Sequence, residues 1–117
     1  MKQEAIAIAE TLKEEEIKKL TKTFLDIKNS FQDEVSLLTR LSEIACHRVP
    51  DFLDSEQSEL LLSKFIVTIM LDFGEGSNKV ASGVGQNKIS AKKEACINAL
   101  RALCPEEYEK WTPKSTN

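Results

Sequence analysis

Apolar residues recur at Ile17, Leu20, Phe24, Ile27 and Phe31, spaced 3, 4, 3 and 4, which lines one side of an α-helix. With the dense charge of "KEEEIKK" beside it, the pattern predicts a helix over residues 2–28. Its stripe would be left wet unless the rest of the domain or a second subunit covers it. Upstream the spacing fails, because Glu10 and Lys13 take the next positions, and this argues against a long coiled coil. Ser30 followed by Asp33 marks a new helix start after "KNS". That helix is predicted from Phe31 or Gln32 to His47, burying Val35, Leu38, Leu41 and Ala45, with Leu37 and Ile44 alongside. Val49-Pro50 should stop it, since a residue before proline is pushed out of the helical region.

The pattern then changes period. "DFLDSEQSE" is polar with two apolar anchors and predicts a short edge strand and a loop. "LLLSKFIVTIMLDF" is rich in β-branched and aromatic residues and predicts the principal strand. Alternation puts Phe65, Val67, Ile69, Leu71 and Phe73 on one face and Ile66, Thr68, Met70 and Asp72 on the other. The second face is more apolar than a wet sheet surface, so something should cover it. "GEGSN" turns the chain back into "KVASGVGQ", an antiparallel strand. A helix from about Ser90 to Leu103 follows, with Ala91, Ala95, Ala99 and Leu100 against the sheet. After Pro105, "PEEYEKW" offers Tyr108 and Trp111 to fold back on the body, and the last six residues read as a frayed tail.

Composition narrows the class. The chain has 117 residues, 41% hydrophobic and 30% charged, which suits one domain with a helical appendage. No apolar run approaches the roughly 20 residues of a membrane span and no apolar signal segment opens the chain, so a soluble intracellular protein is expected. The net charge of −3 does not favour a polyanion over the whole surface, so any grip on nucleic acid must be local. Cys46, Cys96, Cys104 and the single His47 are too few and scattered for a zinc or disulfide framework. His47 has no placed nucleophile and no carboxylate pair marks a pocket mouth. The glycines of "GEGSNKVASGVG" have hairpin spacing rather than that of a phosphate loop. No catalysis, metal, cofactor or small-molecule substrate is therefore expected.

The most specific stretch is "GVGQNKISAKKEACINAL". Within it Gly83, Gly85, Ala91, Lys92, Ala95, Ala99 and Leu100 sit where the double-stranded RNA-binding domain family has its motif, Asn87 stands for a serine, and Cys96 replaces an alanine. Residues 31–103 resemble that family. The resemblance implies an α+β fold of order α-β-β-β-α, with both helices on one face of a three-stranded antiparallel sheet. It divides the chain into an N-terminal helical extension at 1–29, the domain at 30–104, and a short C-terminal helix and tail at 105–117.

In the family, lysines at the start of the last helix neutralise phosphates across the major groove. Lys88 and Lys92 keep two of three such positions, Ile89 takes the middle one, and Lys93 adds charge off the pattern. The first helix departs further, with Asp33 at a polar contact position and Arg40 where the family has glutamate. "SELL" at 58–61 replaces the loop that enters a minor groove, with Leu61 near its histidine. The candidate RNA contacts are therefore Lys88, Lys92, Lys93, Asn87 and Arg40, and they imply weak, salt-sensitive binding. Degenerate members such as the third domains of Dicer-partner proteins, which this sequence resembles, bind proteins or pair with themselves. The matching candidate surface here is Ile66, Met70, Leu60 and Leu62, with the stripe Ile17, Leu20, Phe24 and Ile27 as a second. A module for protein interaction or homodimerisation in an RNA-processing context is expected, and a genuine duplex-RNA binder assisted by the N-terminal helix is the alternative.

Overall fold

The computed structural model describes residues 12–59 and 62–111, with the backbone alone at 57–59 and 62–63. Helices α1 (Glu14–Ile27) and α2 (Glu34–Cys46) precede strands β1 (Asp51–Glu59), β2 (Leu62–Asp72) and β3 (Ser77–Gly85). Helices α3 (Lys88–Leu103) and α4 (Pro105–Trp111) complete the chain. The strands form one antiparallel sheet in the order β1-β2-β3, and the architecture is α+β with the α-β-β-β-α layout at its centre. No described helix is long and apolar enough to cross a membrane.

The close seat of α3 on β3 positions everything else. A Cβ on Gly83 would lie 2.6 Å from the Ala91 carbonyl oxygen and 2.7 Å from the Ala95 Cα. One on Gly85 would lie 2.6 Å from the Ala91 amide nitrogen. Both glycines are therefore required by contact, letting helix backbone rest on strand backbone, with Ala91, Ala95 and Ala99 completely buried above them. Asn98 donates from Nδ2 to the Ser82 carbonyl at 2.8 Å and fixes the seat. Helix α3 starts at Lys88, two residues earlier than expected, because Asn87 caps it by accepting from the Ser90 amide at 2.8 Å.

Strand β2 alternates as its sequence requires: Val67, Ile69 and Leu71 are buried toward the helices. Between Ile69 and Met70 the register with β3 slips, so that Ile69 faces Ala81 while Met70 faces Lys79. The extra residue Val80 points inward together with Ala81, a β-bulge that places two consecutive side chains in the core. Strand β1 runs for nine residues and pairs with β2 along its whole length, so "DFLDSEQSE" is strand throughout and not a short strand with a loop. Backbone pairing to the long apolar β2 overrides the low strand preference of its polar residues.

The helical layer shows four further departures. Helix α1 begins only at Glu14, because Lys13 has extended backbone and is its N-cap; the helix expected over 2–28 is therefore interrupted at Leu12 and Lys13, and its part at 2–11 lies outside the described residues. Helix α2 begins at Glu34 with Asp33 as its cap, accepting from the Ser36 amide at 2.8 Å, whereas Lys28–Ser30 forms a separate 3₁₀ turn. It ends at Cys46, before Val49-Pro50, because His47 turns into the left-handed region at φ 64°. Leu37, Leu38 and Leu41 are completely buried, so Leu37 is a central core residue and Val35 the partly buried flank. The stripe of α1 is used within the chain: Leu20 and Phe24 are completely buried, and Ile17 and Ile27 pack against the core.

Helix α4 folds back and locks this layer. Trp111 donates from its indole to the Lys28 carbonyl at 2.9 Å and meets Phe24 edge-on. Tyr108 is buried and donates to the carboxylate of Glu34, itself 5% exposed, at 3.1 Å. Burial, with the Glu34 charge beside it, pushes the Tyr108 phenol up to about 12.

Gly83→Ala is expected to lower stability by about 3 kcal/mol, through overpacking against a backbone that cannot yield, and urea unfolding measures it. The folded state holds the Tyr108 proton more tightly than the unfolded chain, whose value is 10.0, so its contribution is intact below pH 10 and is lost as pH rises through about 12. Emission from Trp111, the chain's single tryptophan, should shift red across that interval and lose the step in Tyr108→Phe. An emission unchanged to pH 12 contradicts the latch.

Candidate functional site

The sheet has two faces of different character, and α3 starts at the border of one of them. On the helix-facing side, cross-strand rows place Phe52 beside Ile69 and Ala81, and Asp54 beside Val67 and Gly83. Since Ala91 and Ala95 sit on Gly83, the adjoining flank of α3, carrying Lys88 and Lys92 one turn apart, reaches over β2 toward β1. Lys88 Nζ lies 3.3 Å from Asp54 Oδ2, and Lys92 Nζ sits 4.3 Å from the centre of the Phe52 ring. Two of the three lysines in the corner therefore have partners inside the chain.

The remaining candidate contacts divide. Lys93 is exposed on the same helix, and Ile89 beside it is 81% exposed. The side-chain oxygen of Asn87 is used as the helix cap. Arg40 lies elsewhere, on α2, and pairs with Glu43 at 3.1 Å. The structure thus brings Lys88, Lys92, Lys93 and Asn87 together in two turns of α3 and leaves Arg40 apart. Asp33 serves as the α2 cap.

The other face of the sheet is left largely uncovered by the described residues. Ser55, Ile66 and Val84 form one cross-strand row, Leu53, Thr68 and Ser82 the next, and Asp51, Met70 and Lys79 a third. Leu53 is 55% exposed and Val84 52%, while Ile66 and Met70 are partly exposed between them. Thr68 and Ser82 satisfy each other through a hydroxyl pair at 3.0 Å. Of the apolar candidates, Ile66 and Met70 lie on this face, whereas Leu20 and Phe24 are interior and, with Ile17 and Ile27, belong to the core packing of α1. Leu60 and the Leu62 side chain lie outside the described residues. Leu53 and Val84 were missed. Reading β1 as a short strand and loop gave Leu53 no face, and alternation along a full strand supplies it.

The three thiols are buried, and burial pushes Cys96 and Cys104 up to about 12 and Cys46 upward. No group of three or more His, Cys, Asp or Glu side chains suited to a metal ion occurs among the described residues.

Ile89→Lys is expected to leave stability within about 0.5 kcal/mol, because the side chain is surface-exposed. It should raise affinity for a duplex RNA of about 20 base pairs and steepen the salt dependence by about one phosphate contact, read by gel shift at two salt concentrations. An unchanged salt dependence would exclude this corner as a phosphate contact. Comparison with protein-family models, curated proteins and solved structures finds no match to the chain.

Proposed function

We propose that the chain is a non-catalytic module of the double-stranded RNA-binding fold that works mainly in protein association, including self-association, within an RNA-processing or RNA-regulating protein. It retains weak affinity for duplex RNA. The observation that carries this reading is the outer sheet face, where Leu53 and Val84 stand more than half exposed on either side of Ile66 and Met70. Four apolar side chains grouped on one sheet face around the Thr68–Ser82 hydroxyl pair favour an interaction site, since exposed apolar patches on a folded domain usually mark one. The lysine corner supports the secondary role only. Lys88 is paired with Asp54, Ile89 interrupts the run, and four of the acids behind the chain's net charge of −3, Asp51, Asp54, Glu56 and Glu59, lie on β1. Two or three phosphate contacts sustain little affinity near physiological salt.

The second reading, a genuine duplex-RNA binder, is favoured by one feature: Lys88, Lys92 and Lys93 do share the first turns of α3. Light scattering over a concentration series separates the two. Association is expected to raise the mean mass with concentration, and Met70→Asp or Val84→Asp is expected to hold the chain at monomer mass without unfolding it. A mass fixed at monomer throughout, together with micromolar duplex binding that collapses in the Lys88→Ala, Lys92→Ala double variant, overturns the first reading in favour of the second.

A further inference from the structure

We infer that Asp54 is a specificity-determining residue of the lysine corner, a built-in anion that occupies Lys88 in the place a phosphate would take. The inference rests on the residual duplex binding proposed above and adds what limits it.

Four observations converge. The Asp54 carboxylate lies 3.3 Å from Lys88 Nζ, with both groups partly exposed, so the pair is formed at the surface where a phosphate would approach. Lys88 is the first residue of α3, where the positive end of the helix dipole disfavours a cation and favours an anion. The Asp54 carboxylate supplies that anion to the Lys88 ammonium. Asp54 is aimed there by the sheet: it shares a row with Val67 and Gly83, and α3 rests on Gly83. Two residues earlier on the same face, Phe52 holds Lys92 over its ring, so one strand engages both lysines. A phosphate reaching this corner must displace the carboxylate from Lys88 or share the ammonium with it, and either way it stays beside a negative charge. Either route lowers polyanion affinity, and the penalty vanishes with the charge of Asp54.

The experiment is a duplex titration by fluorescence anisotropy with the full chain and an RNA of about 20 base pairs, at low and near-physiological salt. Asp54→Asn is expected to bind about two- to five-fold tighter at low salt, the range that an exposed ion pair spans, with the gain shrinking at higher salt. Asp51→Asn removes the same charge from the opposite face of the same strand and is expected to give a smaller gain. Lys88→Ala added to Asp54→Asn is expected to abolish the gain. Equal binding by Asp54→Asn and the unaltered chain, an equal gain from Asp51→Asn, or a gain that survives Lys88→Ala overturns the inference. Absence of binding by every variant at low salt overturns it too, and with it the residual RNA affinity, while leaving association through the sheet face standing.

Discussion

Helix α3 lies on strand β3 backbone to backbone, and that contact sets the position of every other group discussed above. It exists because Gly83 and Gly85 present no Cβ and Ala91 and Ala95 present almost nothing else. A helix held at ordinary side-chain distance would stand off the sheet, and its first turn would no longer reach β1. At this distance Lys88 and Lys92 come over Asp54 and Phe52, and Asn98 can bond to the Ser82 carbonyl. The same contact closes the core from one side, because Cys96, Ala99, Leu100 and Leu103 are carried down onto the sheet and α2.

With α3 fixed, the two sides of the sheet acquire unequal cover. Helices α1, α2 and α4 share the helical side with it. Phe24 and Leu20 fill the space above α2, and Trp111 and Tyr108 close over α1 and Glu34. Among the described residues the additional helices α1 and α4 are thus used on the side that already has helices. Nothing comparable covers Leu53, Ile66, Met70 and Val84 among the described residues. Charge is distributed just as unevenly. Both lysines that pair in the corner do so with β1, and Asp54 neutralises one of them, while the apolar face stays open among the described residues. That asymmetry is the physical basis for placing association ahead of RNA binding in the proposed function.

Much of the architecture was legible in the sequence because it rests on short-range rules. The 3,4,3,4 spacing identified the buried side of α1, the two-residue period of β2 separated its faces, and the glycines and alanines of 83–99 marked a close helix–strand contact. What escaped was set by pairing across the chain. The polar β1 has weak strand preference of its own and becomes a nine-residue strand only by binding β2, so the roles of Leu53 and Asp54 could not be read locally. Asp54 and Lys88 are 34 positions apart, and no period connects them. Glu34 also reads as an ordinary first-turn acid until Tyr108 arrives from the far end of the chain. The α2 boundary shifted because Asp33 caps more directly than Ser30, and His47 accepts a left-handed backbone before the proline is reached.

Amide NMR spectra recorded through a dilution series, and then with duplex RNA added, test the account most directly. It predicts that dilution moves the resonances of Leu53, Ile66, Thr68, Met70, Ser82 and Val84 together, and that RNA moves only the start of α3 and the neighbouring part of β1, weakly. Dilution-insensitive sheet resonances, with strong RNA-induced shifts along Asp33–Arg40 and at the β1–β2 connection, would contradict it.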